Sequence, residues 1–233
     1  MEERREAGTG PRAHALRADP ARVLDVAAVR QFVGAPLVVA VLEDAADRAV
    51  TAGQALEDTL VTGPDGSGKQ VVARALARDA DQRMVEVDAG WVRSARHMAR
   101  IVRSAEDRDA LVVRRADELR PGALRMLTSL MGMRSLPPEA DRGTSMANCT
   151  VIATAQTVTR RMAALCRLLP LQVELPEPST EARIAAAYRA AQALGLEGTP
   201  QLRADVAGWM TQACTAMTGL DPALCARILA SRR

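Results

Sequence analysis

Short apolar runs alternate with longer segments of helical periodicity along most of the chain. The runs are rich in β-branched residues, which is typical of strands in the interior of a sheet. They lie at residues 60–61, 83–87, 109–113, 150–154 and 171–175. Strands that alternate with helices are joined by right-handed crossovers. The pattern therefore predicts an α/β fold, with a parallel five-stranded sheet sandwiched by helices.

The same pattern divides the chain into a tail, an α/β domain and a lid. Residues 1–22 are rich in Arg, Ala and Glu and contain helix breakers, which predicts a flexible tail. Residues 23–178 carry the alternating pattern and include an early helix that ends near Gly53. Residues 179–233 contain only helical patterns, interrupted around Gly195 and Pro200, which predicts a small helical lid.

A glycine-rich loop follows the first predicted strand and precedes an amphipathic helix. In that context the spacing of Gly63 and Gly68 before a lysine is that of a phosphate-binding loop, whose N–H groups and helix N-terminus surround a phosphate. We expect ATP or ADP to bind there, with Lys69 reaching the β- and γ-phosphates. The loop residues are Gly63, Pro64, Asp65, Gly66, Ser67, Gly68, Lys69 and Gln70. Gln70 departs from the usual Ser or Thr, whose hydroxyl binds Mg²⁺, so we expect metal binding to be weakened.

Composition narrows the class of protein further. The chain has 31 basic and 28 acidic residues, so its charge alone does not indicate a nucleic-acid partner. The four cysteines form no CxxC pair and there are two histidines, which favours reduced thiols over a zinc site. There is no bilayer-length apolar run and no secretory signal. We therefore expect a cytoplasmic protein with no membrane partner.

Three segments around the loop occur in the order and spacing of one known family. They are residues 30–34 (RQFVG), 45–48 (AADR) and 55–64 (ALEDTLVTGP). With them, the chain from about residue 23 onwards resembles the AAA+ ATPases, and most of all the ATPase core of RuvB-type Holliday-junction branch-migration motors. The resemblance implies a P-loop AAA+ fold, ATPase activity and a homo- or hetero-oligomer. Such motors also carry a C-terminal winged-helix DNA-binding domain, and we expect none in this chain, which stops at Arg233.

In that family the third strand ends in an Asp-Glu pair. The Asp holds Mg²⁺ through water and the Glu polarises the attacking water. Here Arg114 and Arg115 stand at those positions. An alternative register gives the catalytic roles to Asp117 and Glu118, on the turn roughly 10 Å further along.

The resemblance also assigns functions to residues outside the loop. Phe32 and Val33 would lie near adenine. Gln156, after the fourth strand, would hydrogen-bond a phosphate or a water molecule. Arg167 would act as an arginine finger in a neighbouring subunit's site. In the lid, Arg227 lies one helical turn from the usual second-sensor position and would replace that residue.

These substitutions lead to a hypothesis about activity. An arginine stays protonated and cannot act as a base, so we expect nucleotide binding with poor hydrolysis or none, in a switch or scaffold subunit. Arg114 would meet the phosphates and repel Mg²⁺, or else point to solvent or a neighbouring acid. Two alternatives remain open: a working DNA-remodelling ATPase that uses Asp117 and Glu118, and a nucleotide-free interaction protein that kept the fold.

One further pattern concerns DNA as a partner. Four arginines at spacings of three and four residues fall on one face of the helix that begins near Trp91. A basic stripe of this kind can follow a phosphate backbone, although solvated helix faces are also often basic. The four residues, called the arginine stripe below, are Arg93, Arg96, Arg100 and Arg103.

Overall fold

The centre of the fold is a parallel sheet. The computed structural model describes residues 25–133, 148–193 and 199–216. Its strands are β1 (Thr59–Thr62), β2 (Met84–Asp88), β3 (Ala110–Arg114), β4 (Thr150–Ala155) and β5 (Leu171–Glu174). They pair in the order β2-β3-β4-β1-β5, and all four pairings are parallel. The predicted α/β fold with a parallel five-stranded sheet is confirmed.

Helices cover both faces of the sheet. They are α1 (Pro36–Ala52), α2 (Lys69–Asp79), α3 (Ala95–Arg103), α4 (Pro121–Met133), α5 (Ala163–Cys166), α6 (Thr180–Ala193) and α7 (Pro200–Ala216). Successive strand residues face opposite sides. Leu111 and Val113 therefore pack with the core under α3, α4 and α5. Ala110 and Val112 pack with the core under α1 and α2.

The strand boundaries differ from the predicted runs by one residue in each strand. β2 ends at Asp88 and β3 ends at Arg114, each one position later than predicted. Asp109 stays outside β3 because its carboxylate accepts hydrogen bonds from the Arg83 guanidinium at 2.9 and 2.6 Å and from the Glu106 N–H at 2.7 Å. β3 therefore begins at Ala110, and its pairing with β2 continues to Asp88 and Arg114.

A buried ion-pair network ties α2 to the sheet. The Arg74 side chain is 1% exposed. Its Nε and Nη2 donate to the two carboxylate oxygens of Glu86 at 3.0 and 2.8 Å, and its Nη1 donates to Asp25 at 3.1 Å. A buried guanidinium requires such partners. The network therefore fixes α2 against β2 and against the segment that precedes α1.

The last two described helices belong to the predicted lid. α6 and α7 pack against each other. In the α/β domain, α1 ends at Ala52, close to the predicted end near Gly53, and Gly53 caps it in the left-handed conformation. The predicted tail and the part of the predicted lid after residue 216 lie outside the described residues, so the domain boundaries stay a prediction. Within the described ranges, no helix combines the length and the apolarity needed to cross a membrane.

Candidate functional site

The glycine-rich loop lies where the fold brings the carboxyl ends of central strands together. β1 leads into the loop and α2 begins at Lys69. The Lys69 Nζ donates to the carbonyl oxygens of Gly63 and Pro64, both at 2.7 Å. Burial lowers the pKa of the Lys69 ammonium, while the carboxylates of Asp65 and Asp117 oppose that shift. The only cation of the loop is thus held at its centre.

Two glycines let the loop approach its neighbours closely. A Cβ on Gly63 would lie 2.4 Å from the Leu175 carbonyl oxygen, and Gly63 has a φ of +144°. A Cβ on Gly68 would lie 2.5 Å from the Phe32 ring, and Gly68 has a φ of +88°. Both conformations are strained for a residue with a side chain. The glycine positions are therefore required by this loop path.

A pocket of about 360 Å³ opens beside the loop. Residues of the loop form its floor, Phe32 and Val33 form one wall, and α6 forms another. The glycine, polar and charged residues that line the pocket are Asp65, Gly66, Ser67, Gly68, Lys69, Gln70, Arg115, Thr154, Arg183 and Arg189. The structure therefore brings the predicted loop residues and the predicted adenine-side residues into one pocket.

The residues of the pocket fit an anionic ligand. Lys69, Arg115, Arg183 and Arg189 bring four positive charges to its lining, against the one carboxylate of Asp65. The Ser67 Oγ is buried and has no hydrogen-bond partner, so a polar ligand would satisfy it. Burial lowers the pKa of the Arg189 guanidinium, which donates to the Gln31 carbonyl. A nucleotide supplies both an anionic chain and a base, and this pocket suits it.

Two of these cations were missed by the sequence reasoning. Arg183 and Arg189 lie on α6, in a helix with no phosphate-binding motif. Arg183 is held by the Pro178 carbonyl at 3.2 Å and by the Glu177 carboxylate at 2.9 Å. Only the docking of α6 brings these residues to the loop. The sole signal in the sequence that could have pointed to these two residues was the positive charge on α6, the first helix after the last strand.

Arg114 is turned toward β2. Its guanidinium lies 3.3 Å from the Glu86 carboxylate and 3.4 Å from the Asp88 carboxylate. The Gln70 amide, with its oxygen facing the guanidinium, accepts from Arg114 Nε at 3.2 Å and from Nη2 at 3.3 Å. The Arg114 guanidinium therefore lies between Gln70 and the carboxylates of Glu86 and Asp88. A divalent cation at this position would be repelled by its positive charge. This corner of the site does not fit Mg²⁺.

Arg115 is the arginine of the pair that lines the pocket. Its Nη2 lies 2.5 Å from the Asp88 carboxylate and its Nη1 lies 3.0 Å from the Glu118 carboxylate. Its backbone N–H donates to the Thr154 Oγ1 at 3.2 Å. The Arg115 hydrogen bond opposes the effect of burial on Asp88 and helps to hold the pKa of that carboxyl below its usual value.

The chain turns sharply after β3, which changes where Asp117 lies. Arg115 has a φ of +53° and Asp117 sits in the short 3-10 turn Ala116–Glu118. Asp117 Oδ2 accepts from the Gln156 N–H at 3.0 Å. Its Oδ1 is buried without a hydrogen-bond partner. The turn brings Asp117 into electrostatic contact with Lys69, whereas the extended path considered above would have carried it away from the loop.

The other predicted site residues are more peripheral. Glu118 is half exposed and pairs with Arg115. Gln156 is exposed and reaches Asp117 through its backbone, while Thr154 presents its side chain to the pocket. Arg167 is exposed after α5. Its role in another subunit stays a prediction, and Arg227 lies outside the described residues.

The arginine stripe is on the surface. All four of its members, Arg93, Arg96, Arg100 and Arg103, are exposed. Trp91, at the start of the same segment, is 63% exposed. The Arg120 guanidinium, at the entrance to α4, donates to the Arg93 carbonyl at 3.3 Å and adds a further positive charge beside the stripe.

Comparison with known proteins agrees with this architecture. The family model described as "ATPase family associated with various cellular activities (AAA)" matches residues 59–177, just over half of the chain. The structure of the Thermotoga maritima RuvB Holliday junction branch migration motor superposes with a TM-score of 0.65 at 18% identity, covering 89% of this chain and 73% of that one. A T. maritima RuvB mutant superposes with a TM-score of 0.62 at 16% identity, covering 88% and 73%. At these identities the likeness shows the fold alone. No curated protein matches the sequence.

Proposed function

This chain belongs to the AAA family of ATPases, and on that premise we propose that it binds ATP or ADP but hydrolyses nucleotide poorly or not at all. The bound nucleotide would make it a switch or scaffold subunit of a larger assembly. The observation that carries the proposal is the pocket beside Lys69, in which four cations and the loop face one ligand-sized space. The loop side of the pocket supports nucleotide binding, and the side formed by the strand ends supports poor hydrolysis.

Binding is supported by the loop side. Backbone N–H groups at the start of α2 and the Lys69 ammonium are the groups that hold a phosphate chain. Phe32 and Val33 offer an apolar wall on which a purine base would lie. Since α6 closes the pocket from the other side, a bound nucleotide would contact both the sheet and the lid. Nucleotide occupancy would thus be coupled to the position of α6.

Poor hydrolysis is supported by the strand-end side. Phosphoryl transfer to water depends on a cation that neutralises developing charge and on a group that orients the water. Arg114 fills the corner between Gln70 and the acids of β2, and Arg115 cannot accept a proton. Arg114 would contribute fixed positive charge behind Gln70 in place of a metal ion. Nucleotide binding without Mg²⁺ follows from this arrangement.

Titration with a fluorescent ATP analogue, in Mg²⁺ and in EDTA, tests the proposal together with a phosphate-release assay. We expect dissociation constants that agree within about threefold in the two buffers, because Arg114 supplies fixed charge, and no turnover above background. Strict dependence on Mg²⁺ would contradict the role given to Arg114. Absence of binding in both buffers would favour a nucleotide-free interaction protein.

A second candidate is a working DNA-remodelling ATPase, and Asp117 favours it. Its Oδ1 is buried without a hydrogen-bond partner, its charge acts on Lys69, and such an oxygen can orient a water molecule. The Thermotoga maritima RuvB protein that shares this fold is a Holliday junction branch migration motor. Turnover that requires Mg²⁺ and is lost in Asp117→Asn would show a working ATPase and would contradict the proposal of poor hydrolysis.

The arginine stripe offers a separate test of DNA as a partner. In Arg96→Glu plus Arg100→Glu we expect the affinity for duplex DNA to fall at least about tenfold, and the slope of log affinity against log salt to shrink by about two, because two phosphate contacts are lost. The measurement is fluorescence anisotropy at several salt concentrations. Arg48→Glu plus Arg203→Glu makes the same charge change at exposed positions of α1 and α7. Equal losses in the two double variants would exclude a specific role for the stripe.

A further inference from the structure

Arg115 combines a position in the lining of the pocket with a side chain that is partly exposed. It lines the same pocket as Lys69 and Thr154. Its side chain is 46% exposed, whereas that of Arg114 is 21% exposed and lies among acids of β2. Of the two arginines at the end of β3, only Arg115 can therefore reorient its guanidinium into the pocket without opening the sheet.

The backbone at Arg115 is strained. Its φ of +53° lies in the left-handed region, which a residue with a side chain rarely adopts. Within the described ranges, Asp81 and Arg108 also have positive φ, and both lie in turns before strands, at the opposite end of the sheet. A strained residue at the ligand end of a sheet is the kind that is associated with function. The strain aims the Arg115 side chain along the pocket edge.

The two carboxylates that pair with Arg115 would still have polar partners or water if its guanidinium moved into the pocket. Asp88 would keep the N–H of Gly90 at 2.9 Å and the Arg114 guanidinium at 3.4 Å. Glu118 is 52% exposed and would be hydrated. The exposed Arg115–Glu118 pair contributes little stability. Exchange of these carboxylates for a phosphate would therefore leave no buried charge unpaired.

We propose that Arg115 is the residue by which the pocket distinguishes a nucleoside triphosphate from a diphosphate. This inference rests on the proposed function, since it assigns a role within the same site. The loop and Lys69 hold the phosphates that both ligands share. The terminal phosphate adds charge at the strand-end side, where the Arg115 guanidinium leaves Asp88 and Glu118 and binds two phosphate oxygens.

The test compares the affinities for a non-hydrolysable ATP analogue and for ADP in EDTA. We expect the native protein to prefer the triphosphate. In Arg115→Gln the triphosphate affinity should fall about 10- to 100-fold, because a charge-assisted contact is lost, while the ADP affinity stays within about twofold. In Glu118→Gln, which removes a competing partner, the triphosphate affinity should rise by about two- to threefold. Arg120→Gln is the matched control and should change neither affinity.

The outcomes separate this inference from the proposed function. If the native protein binds both nucleotides and Arg115→Gln lowers both affinities equally, or lowers neither, nucleotide binding stands and the role of Arg115 is refuted. If the native protein binds neither nucleotide, both fail. Should Arg115→Gln lose its fold, shown by its thermal unfolding, Glu118→Gln decides: an unchanged preference for the triphosphate refutes the inference.

Discussion

Lys69→Ala should weaken nucleotide binding by about 100-fold or more, since the variant removes the ammonium that would make several charge-assisted contacts to the phosphates. Lys69 is placed for this role by its own helix, because α2 begins at that residue. Its Nζ is already held 2.7 Å from two loop carbonyls, so little ordering is required when a ligand binds. The measurement is the same fluorescent titration, performed in EDTA.

Lys69→Arg is the matched variant for this experiment. It keeps the positive charge, but a planar guanidinium cannot occupy the site of a compact ammonium between two carbonyl oxygens. We expect it to bind nucleotide nearly as weakly as the alanine variant. Both variants should keep their thermal midpoints within a few degrees, because Lys69 is only partly buried. Native affinity in Lys69→Ala would show that the ligand is not held by this loop.

Arg74→Met should lower the free energy of unfolding by about 3 kcal/mol, the low end of the range for breaking a buried ion pair. The variant leaves Glu86, which is 12% exposed, and Asp25 without their shared partner. The effect stays at the low end because Glu86 keeps Arg114 and Asp25 keeps Arg78. For a chain of this length the thermal midpoint should fall by about 6 to 12 °C.

Arg78→Met is the control for Arg74→Met. Arg78 lies one helical turn further along α2 and bonds the same Asp25 at 2.8 Å, but its side chain is 39% exposed. An exposed pair contributes at most about 1 kcal/mol. Calorimetry should therefore separate the two variants by several degrees. Equal midpoints would mean that burial of Arg74 adds nothing to the stability of α2 on the sheet.

The sheet and the loop were predictable because their signals are local. Each central strand is apolar on both faces, and the glycines of the loop stand directly between β1 and α2. The start of β3 was not predictable to the residue. The Arg83 guanidinium, from a distant part of the chain, binds the Asp109 carboxylate and holds Asp109 outside the strand, and no periodicity reveals such a contact.

The backbone conformation after β3 decides which arginine lines the pocket. The sequence left open whether Arg114 would meet the phosphates or point to solvent or a neighbouring acid; in the structure it lies against Glu86 and Asp88, and Arg115 lines the pocket because the chain enters the left-handed region there. The same turn brings Asp117 near Lys69, against the expectation from an extended path. Arg183 was not predicted either, since it reaches the site only through the docking of α6. Side-chain direction after a strand and the docking of a separate helix both depend on tertiary structure.

Lys69 is also the only lysine among the 31 Lys and Arg residues of the chain. Because burial lowers the pKa of its ammonium, a larger share of this amine is neutral, and therefore nucleophilic, than in an ordinary lysine at the same pH. Amine-directed reagents, acetylation and lysine-based crosslinking would therefore converge on the phosphate-binding loop, apart from reaction at the amino terminus. A nucleotide bound as proposed above should therefore protect Lys69 from covalent labelling.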